Sequence, residues 1–503
     1  MGFFQAVKNF FKRSKYAMTT DTLTSVIDHP KIAVTAEEYQ RIQRNLQYYQ
    51  SRWDLMKYVN SNGEKKVRDK NHLPIGRTAA KKIASLVFNE QAEIVLDDHT
   101  AHEFVSAMLT EDRFNKNFER YLESCLALGG LAMRPYVDGE RVRVSFIQAP
   151  VFLPLQSNTQ DISEAAIVTK AVRSEGKENS YYTLFEFHEW LSDGRYQITN
   201  ELYKSKQVNQ VGSRVPLRKL YEDLKEVVTI APLSRPLFTY LKPPGMNNKD
   251  INSPLGLSIF DNAKTTIDFI NTTYDEFMWE VKMGQRRVVV PEQTVRLEFT
   301  GQGEQVFAQP KFDPEQNIFM QVNGGKEESG IGITDLTTPI RSDDYVKAIN
   351  EGLALFEMQI GVSAGMFTFD GKSLKTATEV VSENSDTYQM RNSIVSLVEQ
   401  SIKELVISIC ELGKAFGLYS GAIPSMDSIS VNLDDGVFTD KNNELDYWTK
   451  ALAAGLVTRS YAIQKALGLS EDDAAEMVAS INAETVDQAG QVRSLTDLEI
   501  YGE

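Results

Sequence analysis

Residues 253–284 have the sequence SPLGLSIFDNAKTTIDFINTTYDEFMWEVKMG, and this stretch determines the fold predicted for the chain. Ser253 suits a helix N-cap, Pro254 the first turn and Gly284 a helix end. Between them apolar residues recur at steps of three and four, which marks one helical face. These residues are Ile259, Ala263, Ile267, Ile270, Tyr274, Phe277 and Val281. The pattern predicts a helix of about 30 residues, roughly 45 Å long, over Ser253–Met283.

A second helical pattern follows after a β-rich stretch. It covers Asp343–Ile360, with one apolar face, and Gly361 suits its end. Four β-like runs broken by glycines lie between the two helices: Val288–Val290, Val295–Phe299, Ile318–Val322 and Ile331–Leu336. Two long helices whose far ends are joined by a small β unit predict a stalk rather than a globular enzyme.

Mixed α and β patterns precede this stalk. Thr35 and Glu38 form a capping-box pattern for a helix that continues to Met56. Helices over Pro74–Phe88 and Ala101–Leu128 come next. Strands are then predicted at Leu131–Val137, Val142–Ile147, Ala165–Val172, Tyr181–Trp190 and Tyr196–Tyr203.

Helical patterns dominate the remainder of the chain. An irregular segment, 362–375, follows the second stalk helix, and Thr376 with Glu379 would cap a very long helix. Pro424–Leu433 predicts one returning strand, and the chain is helical again from Asp440.

The composition is that of an ordinary water-soluble protein of roughly three domains. The 503 residues are 42% hydrophobic and 24% charged, and no run of about 18 apolar residues predicts a membrane span. Cys125 and Cys410 are far apart and belong to no motif, which favours assembly in a reducing, intracellular compartment. The net charge of −15 argues against tight nucleic-acid binding, yet it suits a surface past which DNA slides.

Two loop motifs resemble catalytic sequences but fail on context. Gly365–Ser373 has five residues, not four, before its Gly-Lys-Ser, and a helix precedes it, so the phosphate loop of an NTPase is not predicted. Gly361-Val-Ser363-Ala-Gly365 matches a hydrolase nucleophile elbow, which needs a strand before its serine.

No metal site or acid/base pair is predicted either. Asp97–Glu103 contains His99 and His102, but Asp98 or Thr100 as a helix cap explains it better than a metal does. Adjacent aspartates elsewhere point apart. We therefore predict no enzyme, no cofactor and no metal.

The N-terminal residues Phe3, Phe4, Val7, Phe10 and Phe11 form one helical face opposite a basic one. Such a helix can lie on a membrane surface or pack on another subunit. We favour the subunit, because nothing else in the sequence indicates lipid.

Several stretches, taken with the order of parts, resemble portal proteins of long-tailed double-stranded DNA bacteriophages. These proteins form the ring through which DNA enters and leaves the capsid. The likeness is strongest over Ser253–Ile481. The stretches are SPLGLSIFDN at 253–262, TATEV at 376–380, AGLVTR at 454–459, Ala462-Ile463, GLSE at 468–471 and RTAAKKIASLVFNE at 77–90.

The resemblance implies an α+β portal fold that assembles as a twelve-subunit ring. It implies these parts: a mixed α/β wing (1–252), stem helices (253–284 and 342–361), a β-rich clip (285–341), a tunnel loop (362–375), a long helix returning to the wing (376–439) and a helical crown (440–503). The sequence departs from the family in lacking a long acidic tail, so we expect a compact crown.

The resemblance also implies sites and partners. The residues assigned to the tunnel loop, where DNA passes, are Ser363, Met366, Phe367, Thr368, Phe369, Asp370, Lys372 and Lys375. Arg286 and Arg287 are assigned to partner docking at the clip. The implied partners are further copies of the chain, double-stranded DNA without sequence specificity, terminase, a head–tail adaptor, and the major capsid and scaffolding proteins. The implied place is the capsid vertex of the virion, after assembly in the host cytoplasm, with no membrane. The alternatives are an NTP-driven motor subunit and a peripheral membrane protein that uses Met1–Tyr16.

Overall fold

We describe the protein from a computed structural model. The described residues are 22–59, 63–88, 92–158, 161–175, 178–284, 339–368, 385–433, 441–467, 474–475 and 477–482, with the backbone of five strands between 287 and 335. The chain divides into two compact units. The first comprises Met1–Gly371 with Asp386–Asp434, and the second comprises Lys372–Ser385 with Asp435–Glu503. Within the described residues the architecture is mixed α and β, in agreement with the predicted α+β class.

The first helix, α1 (Ala36–Tyr49), begins where the sequence predicts but ends earlier. The Thr35 hydroxyl accepts the Glu38 N–H at 3.2 Å, which is one of the two bonds of a capping box, and the Glu38 carboxylate accepts from Arg41. The predicted continuation to Met56 is wrong, because Met56 begins strand β2 (Met56–Val59). That strand pairs with β3 (Lys65–Arg68) as an antiparallel hairpin after β1 (Thr22–Leu23).

The next helix, α2 (Ile75–Val87), confirms the prediction over Pro74–Phe88. The single helix predicted over Ala101–Leu128 is two, α3 (His99–Glu111) and α4 (Phe114–Leu128). Arg113 at the break has a left-handed φ of 49°. The Asp112 carboxylate beside it accepts the backbone N–H of Val144 at 2.9 Å. This tertiary contact stabilises a bend that the helical pattern does not indicate.

A seven-stranded antiparallel sheet forms the largest β element. It contains β7 (Phe152–Ser157), β8 (Ile162–Glu175), β9 (Glu178–Trp190), β10 (Tyr196–Ser205), β11 (Gly212–Val215), β12 (Val227–Ile230) and β1. The order is β1-β11-β10-β9-β8-β7, and β12 also pairs with β10. The long strands β8, β9 and β10 confirm their predictions, whereas the short strands β7, β11 and β12 were not predicted.

A smaller sheet and a strand pair complete this part of the fold. Strands β5 (Leu131–Asp138) and β6 (Arg141–Gln148) confirm their predictions and pair with β13 (Thr239–Leu241) in the order β13-β5-β6. Strand β4 (Glu93–Leu96) pairs antiparallel with a strand from far along the chain, Ile429–Asn432. That partner is the return predicted within Pro424–Leu433.

The predicted stalk helix begins eleven residues later than expected, since α5 spans Lys264–Met283. Residues 253–263 instead form a turn against α4, and the Ile259 N–H donates to the Leu126 carbonyl at 3.0 Å. The backbones of Gly129 and Gly256 are in close contact here. A Cβ on Gly256 would lie 2.5 Å from the Gly129 carbonyl oxygen. The helix is therefore about 30 Å long rather than 45 Å.

The helix α6 (Ser342–Ile360) confirms the second prediction and packs antiparallel on α5. The Thr266 hydroxyl donates to the Gln359 side chain at 2.8 Å, and Glu280 pairs with Arg341 at 3.0 Å at the other end. Gly352 permits the close approach between them, because a Cβ there would lie 2.7 Å from the Ile270 side chain. We call this pair, α5 with α6, the helical hairpin.

Between these helices the structure describes the backbone of five strands: β14 (Arg287–Pro291), β15 (Glu298–Thr300), β16 (Phe307–Gln309), β17 (Ile318–Val322) and β18 (Thr334–Asp335). Strand β14 pairs parallel with β17 and antiparallel with β18, and β15 pairs with β16. The β-rich character predicted between the helices is confirmed. Val295 and Ile331 lie outside the described residues, and β16 was not predicted.

The long helix α7 (Ser385–Ala415) precedes β19 (Ile429–Asn432). Its predicted cap, Thr376 with Glu379, lies outside the described residues. In the second unit, α8 (Lys441–Ala453) and α9 (Arg459–Leu467) pack together, and the rings of Trp448 and Tyr461 meet edge to face at 5.8 Å. Gly455, with φ of 70°, follows α8 as predicted. Gly468 and Gly490 lie outside the described residues.

Candidate functional site

The residues after the helical hairpin form a loop around one buried carboxylate. Gly361, with φ of 76°, ends α6 and turns the chain back along it. The Glu357 side chain, 0% exposed, then accepts the backbone N–H groups of Gly365 at 2.9 Å, Thr368 at 3.1 Å and Phe367. A helical side chain thus fixes the backbone of the segment that follows its own helix.

Two other helices hold the same segment, which we call the loop root (Val362–Thr368). The Ser363 N–H donates to the Thr387 hydroxyl at 2.9 Å, and the Thr387 N–H donates to the Ser363 hydroxyl at 3.2 Å. From α2, the Lys82 ammonium donates to the Met366 carbonyl at 2.6 Å and lies 5.1 Å from the centre of the Phe367 ring. The loop root is therefore fixed to α6, α7 and α2 at once.

The described part of the predicted tunnel loop packs against its own subunit. Ser363 is buried, and Met366, Phe367 and Thr368 are half-buried. Met366 and Phe367 contact the main core, where the Phe367 ring meets Phe356 at 6.0 Å. Phe369, Asp370, Lys372, Lys375 and Arg286 lie outside the described residues, and Arg287 is described only as the first backbone position of β14.

The sequence motifs that resemble catalytic or metal-binding sites have structural roles where the structure describes them. Ser363, the serine of the Gly-x-Ser-x-Gly match, follows a helix and has a buried hydroxyl bonded to Thr387. Asp98 caps α3, since its carboxylate accepts the Ala101 N–H at 2.7 Å. Among the described residues, no cluster of three or more metal-ligating side chains occurs and no helix is long and apolar enough to cross a membrane. Met1–Tyr16 and Gly371–Ser373 lie outside the described residues.

A buried network of charges holds the start of the helical hairpin against α1. The Arg41 guanidinium bonds Glu38 at 2.9 Å and Asp261 at 2.7 Å, and the Lys264 ammonium bonds Asp261 at 2.7 Å. The Asn45 amide also donates to Asp261, at 2.9 Å. Burial alone would raise the pKa of Asp261, but Lys264, Arg41 and Asn45 outweigh it and hold that pKa below its ordinary value.

A second ion pair fixes the β2–β3 hairpin to α5. Arg68 bonds the Asp275 carboxylate through both terminal nitrogens, at 2.8 Å and 2.7 Å, and the Asn71 N–H donates to Asp275 at 2.9 Å. The hydrogen bond from Arg68, together with Asn71 and the positive charge, lowers the pKa of Asp275 from 3.8 to about 2.

We expect this ion pair to make stability acid-sensitive in a defined window. The folded-state pKa of Asp275 is lowered, so its contribution is complete above about pH 4 and is lost as the pH falls through about 2. Arg68→Ala removes the main cause, so the loss of melting temperature between pH 4 and pH 2.5 should be smaller than in the wild type. Thermal melts at both pH values measure this difference.

Arg52→Ala, at an exposed arginine of the same region, is the control and should leave the difference unchanged. The other acidic side chains are present in all three proteins, so we expect their contributions to cancel in this comparison. If the melting temperature of Arg68→Ala fell between pH 4 and pH 2.5 by as much as that of the wild type, the role of the ion pair would be contradicted.

The outer side of the helical hairpin is apolar and exposed. Leu355 and Met358, three residues apart on α6, are 50% and 67% exposed. Phe269 on α5, whose ring lies over Gly352, is 48% exposed. Leu355 lies between Gly352 and Gln359, and both contact α5 near Phe269. These three side chains define what we call the open face of the helical hairpin.

The apolar stripe from Ile259 to Val281 shows no obvious partner within one subunit in the sequence, which predicts that a second subunit covers it. In the structure, the first half of this stripe is covered within one subunit. Ala263, Ile267 and Ile270 are at most 2% exposed and belong to the main core. Val281 remains 41% exposed. The prediction is therefore wrong for the first half of the stripe, whereas Val281 and the open face remain exposed in the subunit.

Sequence reasoning missed Glu357, Lys82 and Thr387. Glu357 did carry a signal. It falls four residues after Leu353 and three before Ile360, within the apolar face of α6, where a charged side chain needs a specific partner. Lys82 and Thr387 lie far from the loop in sequence, and only the fold brings them to it.

Comparison with known families identifies the chain. A family profile described as "Phage portal protein, SPP1 Gp6-like" matches residues 28–491. No curated protein sequence matches the chain significantly. The family comprises structural proteins of the phage head–tail connector that serve in DNA packaging. Because the match spans nearly the whole chain, the protein belongs to this family of phage portal proteins.

Proposed function

We propose that copies of this chain form a closed ring at one capsid vertex and that double-stranded DNA passes through its centre during packaging and ejection. The observation that carries this proposal is the open face of the helical hairpin. Phe269, Leu355 and Met358 are large apolar side chains on rigid helices, and they are exposed in the isolated subunit. Clustered exposed apolar residues of this kind commonly belong to subunit interfaces.

A ring interface is heterologous, so it joins two different faces of the same subunit and closes after a fixed number of copies. We propose twelve copies, the number that the resemblance to portal proteins implies. The helical hairpin supplies one face. A stiff pair of helices suits this role, because closure requires the same angle at every interface.

We propose the parts of the ring as follows. Residues 1–252 are the wing, the helical hairpin lies in the stem (253–284 and 342–361) and residues 285–341 are the clip. The loop 362–375 faces the channel, 376–439 return to the wing and 440–503 are the crown. Two features support this division: the structure describes five strands between the two helices of the hairpin, and β19 pairs with β4 after α7.

The channel role of the loop rests on its position and composition. The loop root follows the end of α6. Met366 and Phe367 are half-buried, so part of each of these two side chains remains exposed. Apolar surface contacts DNA without hydrogen bonds to bases and lets the duplex slide. We propose that Ser363, Met366, Phe367, Thr368, Phe369, Asp370, Lys372 and Lys375 contribute to this loop.

The proposed partners follow from the same arrangement. Terminase and a head–tail adaptor dock on the clip, where Arg286 and Arg287 are the candidate docking residues. The major capsid and scaffolding proteins contact the outside of the ring. The protein carries no packaging ATPase of its own in this proposal, because a helix, not a strand, precedes Gly365.

Electron microscopy and mass measurement of the purified protein test the proposal. We expect rings with a central hole and one uniform mass close to twelve times 56.7 kDa. Packaging assays with terminase and empty capsids should then require these rings. A protein that stays monomeric at all concentrations and salt conditions would refute the ring.

A further inference from the structure

Glu357 is an unusual residue for the buried side of a helix. It is 0% exposed, and its neighbours on that side, Leu353, Phe356 and Ile360, are apolar and buried. Within the described residues, no lysine or arginine lies at ion-pair distance from it. Backbone N–H groups of Gly365, Phe367 and Thr368 are its partners.

This arrangement couples a buried charge to the shape of the loop root. Moving a carboxylate out of water is costly unless hydrogen bonds replace the lost solvation. Here the replacement comes from three converging N–H groups of one short segment, an anion-binding arrangement of the backbone. A path of the loop root that moved these N–H groups away would remove the hydrogen bonds that compensate the buried carboxylate.

The remaining contacts secure the loop root on either side of this carboxylate. The reciprocal bonds of Ser363 with Thr387 hold its start, and Lys82 holds the Met366 carbonyl. Glu357 accepts the N–H groups of both Phe367 and Thr368, which lie on the two sides of the half-buried ring in the chain. Lys82 lies 5.1 Å from the centre of the same ring.

We infer that Glu357 is a positioning residue: its carboxylate fixes the loop root on α6 and so sets how Met366, Phe367 and Thr368 face the DNA. The inference rests on the proposed channel function. Glu357 touches no DNA itself. It acts through the hydrogen bonds that its carboxylate accepts from the backbone N–H groups of the loop root.

Hydrogen exchange of assembled rings tests the anchor without DNA. Glu357→Ala removes all three bonds. Glu357→Gln keeps the shape but replaces one acceptor oxygen by a donor that faces an N–H group. We expect the amides of residues 363–368 to exchange about 10- to 100-fold faster in Glu357→Ala, and by less in Glu357→Gln, while the ring mass is unchanged.

Glu222→Gln is the matched control, since Glu222 is exposed and lies in a loop far away in sequence. It removes the same charge and should leave exchange at 363–368 unchanged. Glu357→Asp keeps the charge on a shorter side chain. It should behave like Glu357→Ala if the position of the oxygens matters, whereas wild-type exchange would mean that the charge alone suffices and would overturn the inference.

DNA passage is the second readout. We expect Glu357→Ala rings to package or retain DNA several-fold less well than Glu222→Gln rings. Unchanged exchange at 363–368 would overturn the anchor, and faster exchange with normal packaging would overturn the positioning role. A Met366→Ser/Phe367→Ser variant separates the two proposals: if it also packages normally, the channel role of the loop fails. If Glu357→Ala does not assemble, the same outcomes are assessed on Glu357→Gln.

Discussion

Leu355→Asp combined with Met358→Asp is expected to convert the rings into folded monomers. Both side chains are at least half exposed in the subunit, so the substitutions leave its own packing intact. In the proposed ring they lie against a neighbour, where each new carboxylate would be buried without a partner. A closed ring has as many identical interfaces as subunits, so the substitutions weaken every interface of the assembly.

The expected size of this effect follows from the cost of burying charge. If the two substitutions cost about 3 kcal/mol per interface, the protein concentration needed for assembly rises by about 100-fold. Light scattering or native mass spectrometry across a concentration series measures this shift. Circular dichroism and thermal melting at low concentration verify that the variant subunit is folded.

Val208→Asp is the matched control. Val208 lies in a surface turn and is 58% exposed, so the substitution adds one carboxylate, half the charge of the double variant, to a similarly exposed apolar position. It should assemble as the wild type does. If the double variant also assembled normally, the open face would not belong to the interface, and the ring would have to be built from other surfaces.

The contrast between the predicted stripe and the open face shows what sequence patterns can and cannot establish. The three- and four-residue steps from Ile267 to Val281 correctly identify a helix with an apolar face, whereas Ile259 and Ala263 lie in the turn before it. These steps do not reveal what covers that face. Ile267 and Ile270 are covered within the subunit. Leu355 and Met358 remain exposed and lie off the apolar face predicted for the second helix, which consists of Val346, Ile349, Leu353, Phe356 and Ile360.

The start of the same helix was misplaced for a related reason. Ser253 and Pro254 have the chemistry of a helix start, but the chain at 253–263 is held by contacts from elsewhere. Leu126 accepts the Ile259 N–H, a bond that satisfies one of the last carbonyls of α4. A tertiary hydrogen bond of this kind has no signature in local sequence.

The loop root was predicted in outline but not in detail. Its position after Gly361 follows from the helix end, and Met366 and Phe367 are more apolar than a freely solvated loop requires. Sequence alone does not distinguish a Phe367 ring that faces a channel from one that packs on its own subunit. The structure shows it half-buried against Phe356, with Glu357 and Lys82 holding the backbone around it.

Asp261→Ala is expected to destabilise the subunit by about 3–5 kcal/mol, the usual cost of removing one partner from a buried ion pair. Asp261 is 5% exposed and its carboxylate accepts from Arg41, Asn45, Lys264 and the Ser258 N–H. Without it, two buried cations lose their shared counter-ion.

We expect the loss of subunit stability in Asp261→Ala to weaken ring assembly as well. Residues 253–263 connect α4 to the helical hairpin, and the network around Asp261 holds them against α1. A subunit whose hairpin is poorly oriented cannot close a ring at a fixed angle. We therefore expect Asp261→Ala to lower the midpoint of urea unfolding and to weaken assembly together.

Two further variants show whether charge or shape is responsible. Asp261→Asn keeps the shape and part of the hydrogen bonding, so it should fall between the wild type and Asp261→Ala. Asp223→Ala, at an exposed aspartate, should change the free energy of unfolding by less than about 0.5 kcal/mol. If Asp261→Ala unfolds at the same urea concentration as Asp223→Ala, the network does not stabilise the start of the hairpin. Equal losses for Asp261→Ala and Asp261→Asn would assign the effect to the negative charge, because only that property is missing from both.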